Sequence, residues 1–409
     1  MAVGDGTLPV LHEIAGIRVA VVQAGIKYAG RDDLVLIELA PGGVCAGVFT
    51  QNKFCAAPVL ICKDRMGTGL KIDQPGYCLV NTGNANAGTG QPGMSDALEL
   101  CRDLAELLSV SETQILPFST GVIGERLPVD RIRKAMPELV DTLKADDWPR
   151  AARGILTTDT RPKGQSVQLI YAGGPITITG ISKGSGMIKP NMATMLGFIA
   201  TDAKISPVLA RQLSVELAER SFNRITIDGD TSTNDACMLL ASGKSSAPAI
   251  DPAHPDYPAF YEALREVYVT LAKAIVLDGE GATKFISINI REARSTEEAL
   301  DIAYTIAHSP LVKTAFYASD ANWGRILAAL GRAPVPEFDL SQVAIFLDEV
   351  CIVRGGERAP DYTEEKGQAV MARDHIAIGI DLGRGSAHET VWTSDLSHDY
   401  VSINADYRS

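Results

Sequence analysis

The order of apolar periodicities limits the fold of this chain more than any other feature of its sequence. Strand-like runs at Ile17 to Val22, Leu34 to Leu39, Val44 to Thr50 and Tyr77 to Asn81 fill its first part, between Gly, Asp and Asn clusters. A helix is predicted over Asp96 to Leu108, where Ala97, Leu100, Cys101, Leu104, Leu107 and Leu108 share one face and Ser95 stands as cap. Ser206-Pro207 opens a second helix, with Leu209, Leu213 and Leu217 four apart. Pro258 to Val276 reads as a long third helix, and Ser295-Thr296-Glu297-Glu298 has the form of a capping box. Further strand-like runs are Gln168 to Tyr171, Ile176 to Ile181, Met195 to Ala200, Phe285 to Ile290, Val343 to Phe346 and His375 to Ile380. The two kinds of segment do not alternate one for one, as a doubly wound sheet would require. A layered α/β (α+β) fold with mostly antiparallel sheets is expected, with a weakly marked boundary near Gly279 to Ala282.

The 409 residues are enough for a large core without disulfides or metals. Lys and Arg number 38 against 50 Asp and Glu, a formal charge of −12, which speaks against nucleic-acid and membrane-surface partners. Apolar runs are interrupted well short of the roughly 18 residues a membrane span needs. The seven cysteines (Cys45, Cys55, Cys62, Cys78, Cys101, Cys237, Cys351) form no C-x-x-C pair, so reduced buried thiols are expected rather than a metal site. The first twenty residues, with Asp5, Glu13 and only Arg18 basic, fit neither a signal nor a transit peptide. Cytoplasm is the expected location.

Gly88-Thr89-Gly90-Gln91-Pro92-Gly93 satisfies the dinucleotide fingerprint G-x-G-x-x-G. Three features count against it. The preceding strand is expected to end near Asn81, Pro92 removes a donor from the helix entrance, and Asn81, Asn84 and Asn86 suggest a turn-rich loop. The sequence has no G-x-S-x-G elbow, H-E-x-x-H, S-x-x-K or Walker A motif, and its six histidines are scattered. An enzyme of this composition need not use histidine as its base.

Lys183 to Ala200 is the most unusual stretch. A Gly-Ser-Gly turn leads through Pro190 and Asn191 into an apolar strand, with Thr194 at the junction behind the small Ala193. In that layout a hydroxyl can attack the preceding carbonyl, convert the peptide to an ester and, on hydrolysis, leave an N-terminal threonine. Such a residue carries nucleophile and base together, because a free α-amine titrates at about 7.7–8.0, close to neutral pH. On residue type alone, a threonine here is also an ordinary β-branched strand former.

The segment resembles the self-processing site of the ornithine acetyltransferases, also called bifunctional glutamate N-acetyltransferases. The likeness runs nearly end to end. It includes Gly47 to Asn52, Ala56 to Val59, Asn81 to Ala87, Ser119 to Gly124, Thr157 to Thr160 and Ser232 to Asp235. It continues in Asp278 to Lys284, Ser309 to Thr314 and Asn322 to Ile326. The resemblance implies an αββα sandwich shared by two self-cleaved chains, 1–193 (α) and 194–409 (β), with a smaller α/β domain over roughly 280–409. Cleavage between Ala193 and Thr194 would leave 193 and 409 − 193 = 216 residues, which the family pairs into α2β2.

It also implies ping-pong acetyl transfer from N2-acetylornithine to L-glutamate through Thr194, within arginine biosynthesis and without a bound cofactor. Whether acetyl-CoA is a second donor stays open. Thr120 and Gly121 match the family's oxyanion stabilisers; Thr157, Lys183, Thr194, Glu280, Asn404 and Ser409 match its substrate residues. Lys183 suits the α-carboxylate common to both amino acids. Asn404 and Ser409 lie in a tail that must dock if it is to bind. Ser409 replaces a frequent threonine, and Ala321 a frequent proline. The other readings are a self-cleaving threonine amidase or aminopeptidase with water as acceptor, a nicotinamide dehydrogenase, and a non-catalytic binding protein.

Overall fold

The computed structural model describes residues 2–68, 70, 73–189 and 195–406. One sheet, in the order β1-β2-β4-β5, contains β1 (Ile17–Val22), β2 (Leu34–Leu39), β4 (Gly76–Asn84) and β5 (Ile115–Val122). A second, in the order β3-β10-β8-β7-β6, contains β3 (Val44–Phe49), β6 (Lys163–Tyr171), β7 (Gly174–Lys183), β8 (Leu196–Thr201) and β10 (Ala236–Ala241). Antiparallel pairing dominates in both, with β4/β5 and β8/β10 parallel.

These sheets pack face to face. Val19, Val21, Val35, Ile37, Val80 and Phe118 of the first meet Ile181, Leu196, Phe198, Ala236, Met238 and Leu240 of the second in one buried cluster. Phe118 and Phe198 meet edge to face with centroids 5.1 Å apart, worth about 0.5–1.5 kcal/mol beyond area burial. β2 is buried at all six positions, as a strand with both faces covered must be.

Helices α2 (Gly90–Leu108) and α3 (Val129–Asp141) close the outer face of the first sheet, and α5 (Pro207–Glu219) and α6 (Tyr257–Leu277) that of the second. This is the expected αββα order. α1 (Ala57–Thr68) packs beside β5, and α4 (Trp148–Gly154) sets the fully buried Trp148 into the inter-sheet core.

A third sheet, ordered β14-β13-β12-β15-β11-β16-β9, has its own core. Its strands are β9 (Ile225–Thr226), β11 (Phe285–Ala293), β12 (Ala344–Leu347), β13 (Val350–Arg354), β14 (Glu357–Arg358), β15 (His375–Asp381) and β16 (Ala387–Ser394). α7 (Thr296–Ala307), α8 (Pro310–Tyr317), α9 (Trp323–Gly331) and α10 (Glu364–Met371) contribute to that core. α11 (His398–Ala405) ends the described chain. No helix among the described residues is long and apolar enough to cross a membrane.

The helix starts at Ser206 and Ser295 form as expected, each hydroxyl accepting from the backbone N–H three residues on (3.2 Å) and worth about 1 kcal/mol. Glu298 does not close the box on Ser295. Its carboxylate accepts from Arg294 N and from the Arg384 side chain instead. α2 begins at Gly90, six residues before the expected start, so Ser95 is not its cap. The cause is tertiary: Asn86, buried at φ +46°, donates from Nδ2 to Gly93 O (2.9 Å) and holds the first turn in place. β4 runs to Asn84 rather than Asn81. Of the fingerprint glycines, Gly93 is thus tied down by the Asn86 side chain, and none of the three lines the cavity described next. All seven cysteines are free thiols. Burial pushes Cys237 up to about 12, which makes it unreactive at neutral pH.

Candidate active site

A cavity of about 280 Å³ opens where the two stacked sheets end. Its walls come from the ends of β5, β7 and β8, the loop before β10, the turns around residues 157 and 186, Glu280 after α6, and Asn404 on α11. Thr120, Gly121, Thr157, Lys183, Glu280 and Asn404, scattered over almost 300 positions, all line it. So do Met195 and Leu196, the two residues that follow Thr194. Thr194, Ala193 and Ser409 lie outside the described residues.

Lys183 closes β7 rather than sitting in a turn, because β7 pairs antiparallel with β8 and sets Lys183 opposite Leu196. Its Nζ donates to Thr120 Oγ1 (3.2 Å). A hydroxyl that accepts from an ammonium keeps its own proton free to donate elsewhere. The residue keeps some exposure, but burial of its ammonium pushes the pKa below the ordinary lysine value, against the pull of the Asp159, Asp235 and Glu280 carboxylates.

Thr120 and Gly121 stand inside β5. Gly121 has φ +135°, and a Cβ there would lie 2.3 Å from the Gly83 carbonyl carbon, so only glycine lets β4 and β5 approach so closely.

Behind Lys183 lies a closed ionic cluster. Lys163 Nζ donates to Asp159 Oδ1 and Asp278 Oδ2, both at 2.6 Å, and all three side chains are almost wholly shielded from solvent. Asp159 also accepts from Gly184 N (2.6 Å) and Thr157 N (3.1 Å), which fixes the backbone on both flanks of the cavity. Burial would raise the Asp159 carboxyl. The Lys163 and Lys183 charges and its hydrogen bonds outweigh burial and hold it far below the usual carboxylate range.

Glu280 is held by a backbone bond from its N–H to Ser185 O (2.7 Å) and accepts from Asn404 Nδ2 (2.8 Å), which docks Asn404 on the cavity rim. Gly186 makes room for it: a Cβ there would sit 2.3 Å from Glu280 Oε2.

Asp235 was not singled out as a site residue by sequence reasoning, although it closes the Ser232–Asp235 motif. Asn234 pins that loop to the sandwich by donating to Ala85 O (2.6 Å) and Ser119 O (2.9 Å). Asp235 lines the cavity, and its Oδ2 is enclosed with no hydrogen-bond partner among the described residues. Burial pushes its carboxyl well above the usual range, partly offset by Ser232 and the Lys183 charge. No signal in residue type or spacing separates this aspartate from a surface one.

Among the described residues the cavity thus offers hydroxyl and main-chain groups, one ammonium and two carboxyls, but no histidine. No group of three or more His, Cys, Asp or Glu among the described residues is arranged to hold a metal ion. Such a set suits recognition of a small zwitterion beside an acyl group.

Comparison with known proteins is consistent with this chemistry. A model of the ArgJ family matches residues 18–409. The "Arginine biosynthesis bifunctional protein ArgJ" of Pseudomonas fluorescens (strain Pf0-1) is 55% identical over 410 aligned positions, covering all of both chains. The protein of the same name from Methylococcus capsulatus is 54% identical over 98% of this chain and 97% of its own. The crystal structure of the arginine biosynthesis bifunctional protein argJ from Bacillus halodurans is 39% identical over 52% of this chain and 99% of its own, with a TM-score of 0.50.

Proposed function

The chain belongs to the ArgJ family, and on that premise we propose that it is an acetyltransferase of arginine biosynthesis that moves acetyl from N2-acetylornithine to L-glutamate. The observation that carries this reading is the convergence of Thr120, Gly121, Thr157, Lys183, Glu280 and Asn404 on one cavity whose wall continues into Met195 and Leu196.

In the proposed reaction the chain first cleaves itself between Ala193 and Thr194. The freed α-amine of Thr194 takes the proton of its own hydroxyl as Oγ attacks the acetyl carbonyl. Negative charge develops on the former carbonyl oxygen, where the Thr120 hydroxyl and the Gly121 main chain supply donors; one such donor is worth about 2.7–4 kcal/mol. Ornithine leaves with the proton, and the amine of glutamate attacks the acetyl-threonine in the reverse sense. Lys183 holds the α-carboxylate, Glu280 and Asn404 together with Ser409 hold the remaining polar groups, and Thr157 lines the opening.

The solved Bacillus halodurans chain aligns over almost its whole length to 52% of this one. That share is close to the 216 of 409 residues that cleavage before Thr194 leaves in the second chain. Because the inter-sheet core draws on residues from both sides of that point, the two pieces stay associated, with the domain after about residue 280 carried on the second, and pair into α2β2 in the cytoplasm. No bound cofactor is needed, and acetyl-CoA serves as a second donor to glutamate.

The test is intact-mass spectrometry and turnover of the wild type beside Thr194→Ala. The expected result is two fragments and activity for the first, one chain and no activity for the second. Ornithine release by the wild type that ignores glutamate would instead make the protein an amidase, and a Thr194→Ala variant with undiminished turnover would refute the mechanism.

A further inference from the structure

A second cavity, of about 240 Å³, lies against the first, and the two share Gly121, Val122, Thr157 and Thr158. The partition is main chain rather than side chain at its centre. Gly83 (φ +94°) and Gly121 (φ +135°) face each other there without Cβ atoms. A Cβ on Gly83 would also stand 2.9 Å from the Cβ of Lys27, so the same glycine lets the loop that carries Lys27 close over the strand ends.

That loop is built, not loose. The Asp33 carboxylate accepts from Ala24 N and Ile26 N, both at 2.6 Å, and Arg131 Nη1 donates to Gly25 O (2.7 Å). It presents two cations to the second cavity. Lys27 places its ammonium 5.1 Å from the ring centre of Tyr28. Arg31 spends one nitrogen, Nη2, on Leu156 O (2.7 Å) and Thr157 O (3.1 Å), and its other guanidinium nitrogens have no partner among the described residues. Asp406 is the acidic residue of this lining. In a chain of net charge −12, two cations at one mouth are a local reversal of sign that favours anions.

We propose that this second cavity docks the phosphate-bearing arm of a coenzyme A thioester, with Lys27 and Arg31 on its phosphates and its acyl end at Thr120–Gly121. The inference rests on the reading that acetyl-CoA is a second acetyl donor. A cavity of about 280 Å³ takes an acetylated amino acid but not a donor several times larger, so the long arm must leave it on one side. Ornithine, a cationic leaving group, has no use for the Lys27 and Arg31 side; a polyphosphate does. In the step itself, the thioester carbonyl carbon bonds to Thr194 Oγ and its C–S bond breaks. The hydroxyl proton passes through the α-amine to the departing thiolate, so atoms and charge balance.

The test compares three donors with glutamate as acceptor: acetyl-CoA, S-acetyl-N-acetylcysteamine, which has the thioester but no phosphate, and N2-acetylornithine. Full-length wild type and Lys27→Glu are each assayed. The expected result is a KM for acetyl-CoA raised about tenfold or more in the variant, the effect of losing a charge-assisted contact. Kinetics with the short thioester and with acetylornithine stay unchanged. Equal losses with all three donors, or no change with acetyl-CoA, overturn the proposal. If wild type handles both thioesters equally well, no phosphate site exists and this inference alone falls. If it turns over acetylornithine but neither thioester, the second-donor reading falls with it.

Discussion

Lys163→Met removes the cation that bridges two enclosed carboxylates while keeping the length of the side chain. Lys163 is 1% and Asp159 and Asp278 are 0% exposed at the side chain, with both N–O distances at 2.6 Å. Deleting one partner of a buried ion pair costs about 3–5 kcal/mol, because the other charge stays buried. Asp278 keeps its bonds from Thr160 N and Oγ1, and Asp159 those from Gly184 N and Thr157 N. The lower end, about 3 kcal/mol, is therefore expected.

The pH dependence has a definite sign. In the parent protein Asp159 is depressed by its lysine neighbours against burial. Its stabilisation is therefore present above the unfolded pKa of about 3.9 and lost only as pH falls through the lower folded value. Without Lys163, burial has less to oppose it and that contribution shrinks, so the stability gap between variant and parent widens as pH rises toward about 4 and stays open from there to pH 7. Urea unfolding followed by fluorescence measures it, in a Thr194→Ala background, which under the proposed cleavage mechanism stays one covalent chain. Adding Asp278→Asn to the variant recovers part of the loss. A variant within about 1 kcal/mol of its parent at pH 7, with a gap that does not change with pH, would show that the cluster is not the buried ion network described.

Lys183→Met removes the proposed carboxylate anchor and lowers kcat/KM for acetylornithine by roughly 10- to 100-fold, the worth of one charge-assisted hydrogen bond. Because burial lowers the Lys183 pKa, wild-type affinity declines as pH rises through that lowered value, and steady-state kinetics of the variant should lack this alkaline limb. Its persistence would point to another group. Asp235→Asn replaces a carboxyl that burial holds well above its usual pKa. Such a group binds more protons folded than unfolded, so it costs the wild type stability as pH rises above about 4. Melting curves should then show the variant gaining on the wild type from pH 4 upward, and a pH-independent difference would contradict a raised carboxyl.

The strands Ile17 to Val22 and Leu34 to Leu39 were legible because burial on both faces leaves short apolar runs, rich in β-branched residues and Leu, broken only by Arg18 and Glu38. The helix starts at Ser206 and Ser295 were legible because a cap is a bond across three residues. β5 and β10 were not. Ile115 to Val122 contains Pro117 and Gly121, and Ala236 to Ala241 has no β-branched or aromatic residue to separate a buried strand from a buried helix, so pairing with neighbours decides both. The early start of α2 was equally hidden, because Gly90 to Gly93 has poor helix propensity and Asn86 imposes the turn.

Family motifs and their order were enough to nominate the residues of the cavity, since residue type and spacing are properties of the chain. Residue type could not reveal that Lys163 would sit between Asp159 and Asp278, that Lys183 would lose part of its basicity, or that Asp235 Oδ2 would stand enclosed with no hydrogen-bond partner among the described residues. Those are outcomes of desolvation and of charges brought together along the chain, Lys163 and Asp278 from 115 positions apart. Only the packed sandwich creates both.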